Sequence, residues 1–194
     1  MMLRGFPITL KDDVSTVIDV VSKKKYNNVE CGVSENFCKY ILLSGEEIFF
    51  PYRIYYVDVY KGIPSLTFEQ RMIYHCIFSR SCDGFVREKH IKSIFNEDYP
   101  DWVIPYIFKI SDEYVVEILE IIYSKLKNEN TDKIKKFCRL NLNLFLYSYD
   151  RMISYWNEFY RKRYPDYKKY VGRELYNKCF GYTKNMKKIA TGRK

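Results

Sequence analysis

The only two histidines of the chain stand among thiols and a carboxylate: His75-Cys76, Cys82-Asp83 and His90 form its one concentration of metal-type and nucleophile-type side chains. A structural zinc centre needs ligands converging tetrahedrally and usually brings paired cysteines roughly two to four residues apart. Cys76 and Cys82 are six apart and flank the end of an expected helix, so packing as small hydrophobes explains them better than ligation. A Cys–His nucleophile fares no better. His75 directly precedes Cys76, and neighbours on a helix point about 100° apart; His90 would have to be the base, with no nucleophile elbow or oxyanion-hole motif beside it. The glycines are isolated from one another, so no phosphate-cradling loop is present either. The expectation is a chain without catalytic residues, cofactor or metal.

A second chemistry is written in Tyr160-Arg161-Lys162-Arg163-Tyr164-Pro165-Asp166-Tyr167-Lys168-Lys169-Tyr170, continued by Arg173, Tyr176, Lys178, Lys184, Lys187, Lys188, Arg193 and Lys194. Cationic side chains neutralise phosphates and aromatic rings offer stacking faces, the composition of a nucleic-acid surface. Arg161, Lys162, Arg163, Lys168, Lys169 and Arg173 are the candidate polyanion contacts, with Tyr164, Tyr167 and Tyr170 as stacking faces. A solvated helix, or a dock for an acidic protein, has the same composition.

The formal net charge is +9, yet 12 basic and two acidic residues fall between Arg161 and Lys194, leaving 21 basic against 22 acidic elsewhere. Basicity therefore belongs to one end. Twenty tyrosines and 13 phenylalanines make the chain 18% aromatic, a supply of large apolar faces whose hydroxyls need partners. No apolar run approaches the roughly 18 residues of a membrane span. Lys11, Asp12 and Asp13 interrupt the opening before it resembles a signal peptide, and six scattered cysteines in a chain of 194 residues do not read as a disulfide framework. A cytoplasmic protein with reduced thiols and no membrane contact is expected.

The elements that must position these groups can be read from punctuation and period. Residues 12–24 place acids first and lysines last, as a helix dipole favours. Phe37–Leu43 and Glu47–Phe50 flank the turn cluster Ser44-Gly45-Glu46, a hairpin signal, and Tyr52–Val59 continues the β-prone composition. After Gly62 and Pro64 the period changes. Thr67-Phe68-Glu69-Gln70 is a capping box, followed by Met72, Ile73, Cys76 and Ile77 at helical spacing. Asp83-Gly84 turns the chain into a second helix carrying Val86, His90, Ile91, Ile94 and Phe95. Asp101–Lys109 reads as a third, and Ser111-Asp112-Glu113 as the start of a fourth, with Val115, Ile118, Leu119, Ile122 and Leu126 opposite Glu113, Glu117, Glu120 and Lys127. Thr131–Arg163 has no Gly or Pro and reads as one long or once-broken helix despite the alternation Leu140-Asn141-Leu142-Asn143-Leu144. Pro165-Asp166 opens a last helix to about Phe180, closed by Gly181.

Asp83-Gly84-Phe85-Val86-Arg87-Glu88 and Asp112-Glu113-Tyr114-Val115-Val116-Glu117 each follow a helix and open another, the second behind Ile104-Pro105-Tyr106. Over about residues 66–127 this pattern resembles HEAT-like helical repeats of the short bacterial type. The resemblance implies a mainly α fold of stacked antiparallel helical hairpins with a small N-terminal α+β cap (1–64), a helical body (65–181) and a basic tail (182–194). It assigns Arg80, Asp83, Arg87 and Glu88 to structural ion pairs that fix a turn. It also implies a non-enzymatic binding or adaptor module with a protein partner, since stacked hairpins present an extended surface. The alternative is nucleic-acid binding through the basic C-terminal segment. Some HEAT-like proteins are DNA glycosylases using an Asp and tryptophans, which would single out Asp101, Trp102 and Trp156.

Overall fold

A computed structural model describes residues 2–21, 32–59 and 65–190. Residues 22–24 of the expected first helix, Cys31, Gly62, Pro64, Arg193 and Lys194 lie outside the described residues. The protein is mainly α with a small β-containing N-terminal region, and divides into two units, Met1–Val103 and Ile104–Lys194. Among the described residues no helix is long and apolar enough to cross a membrane.

In the N-terminal unit, 3-10 turns at Met2–Gly5 and Ile8–Leu10 lead into α1 (Lys11–Val20), whose first turn carries Asp12 and Asp13 and whose buried face is Val14 and Val17. Strands β2 (Phe37–Ile41) and β3 (Glu47–Pro51) form an antiparallel hairpin in which Tyr40 pairs with Ile48 and Cys38 with Phe50. Gly45 closes it with φ +90°, left-handed backbone that glycine adopts without a Cβ clash. Short strands β1 (Gly32–Val33) and β4 (Ile54–Tyr55) pair antiparallel. Much of the β-prone run Tyr52–Val59 is thus not strand. Ile54 instead bonds in parallel to the chain beyond α2 (Phe68–Phe78): its N–H donates to the Arg80 carbonyl at 2.9 Å and its carbonyl accepts from Cys82 at 3.0 Å.

Helix α2 begins at the expected capping box, with the Gln70 amide donating to Thr67 Oγ1 at 3.3 Å and Thr67 N–H to Gln70 Oε1 at 3.1 Å. Its residues from Met72 to Phe78 are all buried, as befits a helix packed against both α1 and α3 (Gly84–Phe95). Asp83 caps α3 by accepting from Phe85 and Val86. The pair α2–α3 is antiparallel: Arg71 meets Glu97 at its open end, His75 meets His90 midway, and Arg87 reaches the Ser81 carbonyl at the turn.

The C-terminal unit opens with α4 (Ile104–Ile110), buried along its whole length. Ser111-Asp112-Glu113 does not start the next helix. Lys109 Nζ holds both Asp112 carboxylate oxygens, at 2.8 and 2.9 Å, so that carboxylate is not a helix cap, and α5 (Val116–Leu126) begins without a side-chain cap. Its buried face is Val116, Ile118, Leu119, Ile122 and Leu126. The run from Thr131 breaks once: α6 (Asp132–Leu140) meets α7 (Leu142–Tyr155) at buried Asn141, whose Nδ2 donates to the Phe137 carbonyl at 3.0 Å. Leu140 and Leu144 are exposed, so the leucine alternation marks a helix junction. Helix α7 continues in a π-helical turn, Trp156–Tyr160. After a 3-10 turn at Tyr167–Lys169, α8 (Val171–Glu174) runs into a second π-helical turn, Leu175–Cys179, and α9 is Asn185–Ala190. Gly181, at φ +77°, closes the π-helical turn that continues α8, as expected.

Much of the tyrosine content is core. Phe108, Phe145, Tyr176 and Phe180 are buried together, with Tyr176 stacked on Phe145 at 5.8 Å. The Tyr176 hydroxyl shares a 2.5 Å hydrogen bond with Ser148, which satisfies a polar atom that burial would otherwise penalise. Helix α8 approaches α7 closely at Gly172, where a Cβ would stand 2.7 Å from Tyr170 Cε1 and 2.9 Å from Met152 Cγ. Gly172→Ala is therefore expected to destabilise the unit by about 1–3 kcal/mol. An unchanged midpoint in urea titration would show that Met152 and Tyr170 yield freely.

Candidate functional site

Tyr147, Arg151, Tyr155 and Phe159 recur at every fourth residue, so α7 and its π-helical extension align them along one face. Tyr147 is 61% exposed and Phe159 57%. The Arg151 guanidinium lies 5.9 Å from the Tyr147 ring and 5.6 Å from the Tyr155 ring, and donates to the Tyr155 hydroxyl at 2.8 Å. Tyr114, 50% exposed, joins from the α4–α5 connection: ring centroids are 6.2 Å apart for Tyr114–Tyr155, 6.0 Å for Tyr114–Phe159 and 6.1 Å for Tyr155–Phe159. The Tyr160 hydroxyl pins that connection, accepting from Val116 N–H at 3.2 Å and donating to the Tyr114 carbonyl. Burial raises its pKa above the ordinary phenol value, keeping it a donor.

The basic segment begins immediately after this aromatic face. Arg161, Lys162, Lys168 and Lys169 are exposed, and none of them has a carboxylate partner among the described residues. Arg161 reaches the Asn157 side chain at 3.3 Å. Asp166, the acid between them, caps the Lys168 N–H at 2.9 Å. Arg163 faces inward on charge: it lies 3.9 Å from Glu117 and 3.6 Å from Glu120. Arg173 lies 3.8 Å from Glu174 and over the Tyr167 ring at 5.7 Å.

The three tyrosines expected as stacking faces are differently placed. Tyr170 is fully buried, with its ring 6.0 Å from Tyr160 and 5.5 Å from Tyr164; it belongs to the core and offers no face to a ligand. Tyr164 is half-buried and donates to Glu120 Oε1 at 2.9 Å. Tyr167 packs on Trp156 at 4.7 Å and donates to the Tyr149 hydroxyl at 3.2 Å, with burial pushing its pKa up. Among the described residues of this unit, the exposed rings are those of Tyr114, Tyr147 and Phe159. For Tyr147 and Phe159 the signal in the sequence was the four-residue recurrence through Arg151, masked by the stronger apolar stripe of the same helix.

In the other unit, Arg80, Asp83, Arg87 and Glu88 brace the turn between α2 and α3. Arg80 Nη2 donates to the Tyr52 carbonyl at 2.7 Å, and Arg87 Nη1 to the Ser81 and Cys82 carbonyls at 2.9 and 3.0 Å. Asp83 caps α3, and Glu88 meets Lys92 at 2.6 Å. Two buried arginines thus hold the turn after α2 by its Ser79, Ser81 and Cys82 carbonyls and tie it to the Tyr52 carbonyl.

The two histidines do meet, without the cysteines. His75 Nδ1 and His90 Nδ1 are 2.8 Å apart, and His90 Nε2 lies 3.1 Å from Asp58 Oδ2. Lys89 also pairs with Asp58, and Tyr74 donates to Asp58 Oδ1 at 3.1 Å. The short Nδ1···Nδ1 contact pairs one ring as donor with the other as acceptor. Burial, with His90 adding to it, lowers the His75 pKa from 6.5 to about 3. His75 is 2% exposed and His90 fully buried, so this chain of groups is closed to a substrate. Cys76 is buried with its thiol pushed well above the ordinary range, the reverse of an activated nucleophile. Among the described residues no three His, Cys, Asp or Glu side chains are placed to hold a metal ion. Asp58 was the member hidden from sequence inspection, since only the fold brings it beneath His90.

Trp102 packs edge-on against Phe6 at 5.7 Å, and Asp101 opens a short 3-10 turn. Trp156 Nε1 donates to the Tyr164 carbonyl at 2.9 Å, fastening the basic turn to the end of α7. No protein-family model, curated protein or solved structure matches the chain.

Proposed function

We propose that the chain is a non-enzymatic binding module, and that its partner docks on the face formed by Tyr114, Tyr147, Arg151, Tyr155 and Phe159. The observation that carries this reading is the exposure of Tyr147, Phe159 and Tyr114, at 61%, 57% and 50%, in an aromatic cluster laced by an arginine. Water disfavours such a contiguous apolar surface, and Tyr and Arg are the residues most enriched where binding energy concentrates. A module rather than an enzyme is supported by the closure of the Asp58–His90–His75 chain. We place the protein in the cytoplasm, with which the free thiols of Cys76, Cys82, Cys138 and Cys179 agree.

The test is site-specific photocrosslinking of the full chain in its native cell. A benzophenone side chain at position 159 is expected to capture a discrete adduct, and the same group at position 85, where Phe85 is 84% exposed on the other unit, is not. Equal capture at both positions, or none at 159, would overturn the reading.

A further inference from the structure

We infer that the occupant of this face is single-stranded nucleic acid, bound by stacking on the aromatic rings and by phosphate contacts along the adjoining turn. This rests on the docking face proposed above and names its ligand. Three features converge. First, Tyr114, Tyr155 and Phe159 hold ring centroids 6.0–6.2 Å apart, and Tyr147 continues the row beyond Arg151, giving several flat platforms in reach of successive bases. Stacking on such rings is tolerant of sequence because every base has a π face.

Second, the chain leaves Phe159 directly into Arg161 and Lys162 and returns through Lys168 and Lys169. None of these four has a carboxylate partner among the described residues, and the one acid among them is engaged as a cap to the Lys168 N–H. A row of phosphates therefore meets uncompensated positive charge beside the rings.

Third, the protein's own carboxylates bear on Arg163, where Glu117 and Glu120 lie at 3.9 and 3.6 Å. An acidic peptide would have to compete there, and would leave the aromatic platforms unused. A duplex keeps its base faces stacked on one another, so the rings select unpaired strands. The phosphate contacts are Arg161, Lys162, Lys168 and Lys169; Tyr164, Tyr167 and Tyr170 serve to hold the turn.

The experiment is fluorescence anisotropy of the full chain with labelled oligothymidylate over a salt series, with circular dichroism to confirm that each variant is folded. Duplex DNA of the same length and inorganic polyphosphate are the competitors. Binding is expected to fall about tenfold in Phe159→Ala, and also in Tyr147→Ser, a second variant at a surface position. Replacing Lys162, Lys168 and Lys169 by Gln lowers the log–log salt slope by about 2, while Phe85→Ala leaves binding unchanged. Competition by duplex or polyphosphate as effective as by unlabelled single strand would overturn the stacking claim, as would undiminished affinity in both ring variants. If the parent chain binds no oligonucleotide at low salt while position 159 still captures a protein, the docking face stands and the nucleic-acid assignment falls. If oligonucleotide binds without any loss in the ring or lysine variants, both fall.

Discussion

Lys109→Met is expected to lower the unfolding free energy by about 3–5 kcal/mol, and Asp112→Leu by a similar amount. Lys109 is 4% exposed and Asp112 3%, and the ammonium holds both carboxylate oxygens. Lys109→Met leaves the Asp112 carboxylate, 3% exposed, buried without that ammonium, and Asp112→Leu takes from the buried Lys109 the carboxylate that holds it. The double variant removes both charges at once and should recover most of the loss, because two apolar side chains need no partner. Urea titrations of both singles and the double close the cycle. If the double costs the sum of the two singles, the pair contributes nothing as a pair and the explanation fails.

That same pair explains one limit of sequence inspection. The two stretches beginning at Asp83 and Asp112 look alike in the sequence, yet Asp83 caps a helix and Asp112 is held by Lys109. Nothing at position 112 distinguishes them. Each has a buried cation three residues back, but Arg80 reaches the Tyr52 carbonyl whereas Lys109 takes both oxygens of Asp112. Where local chemistry decides, the sequence was legible: the capping box at Thr67, the Ser44-Gly45 turn, the break before Gly181 and the helix pair around Asp83 are all short-range signals. β-propensity in Tyr52–Val59 misled, since only Ile54 and Tyr55 are strand; Tyr52 and Arg53 make single backbone bonds to Asn36 and Ser34, and the Val59 N–H donates to the Tyr74 hydroxyl.

The candidate site was half legible. Charge counting located the basic turn, because charge is a property of composition and survives folding. It could not sort the tyrosines. Tyr164, Tyr167 and Tyr170 follow one another at three-residue spacing through a turn, and the fold sends Tyr170 inward against Tyr160 while Phe159, one residue away from Tyr160, faces water. Exposure of an aromatic depends on what packs over it, and the packing elements here come from α5 and α8. Of the rings that face outward, Tyr147 lies on α7 and Phe159 on its π-helical extension, where a period of four was available to be counted, whereas Tyr114 lies in the α4–α5 connection and had no such signal.

Acid is expected to destabilise the N-terminal unit before its carboxylates titrate. His75 is buried against His90, with Asp58, Lys89 and Arg71 the charged groups around it and Tyr74 beside it. Its pKa falls from 6.5 to about 3, so the folded state refuses a proton that the unfolded chain accepts below pH 6.5. Stability from this group is complete above that pH and drains as pH falls toward 3, at about 1.4 kcal/mol per unit, for a total of about 4–5 kcal/mol. His90, also lowered chiefly by burial and held up in part by Asp58, pulls in the same direction. His75→Gln keeps a hydrogen-bonding group toward His90 Nδ1 but cannot take up the proton. Its unfolding free energy is lower at neutral pH, yet should fall less steeply between pH 6.5 and 4, by about one proton's worth of slope. Denaturant melts of parent and variant across that range measure the difference directly. Parallel curves would mean that His75 is not the group resisting protonation.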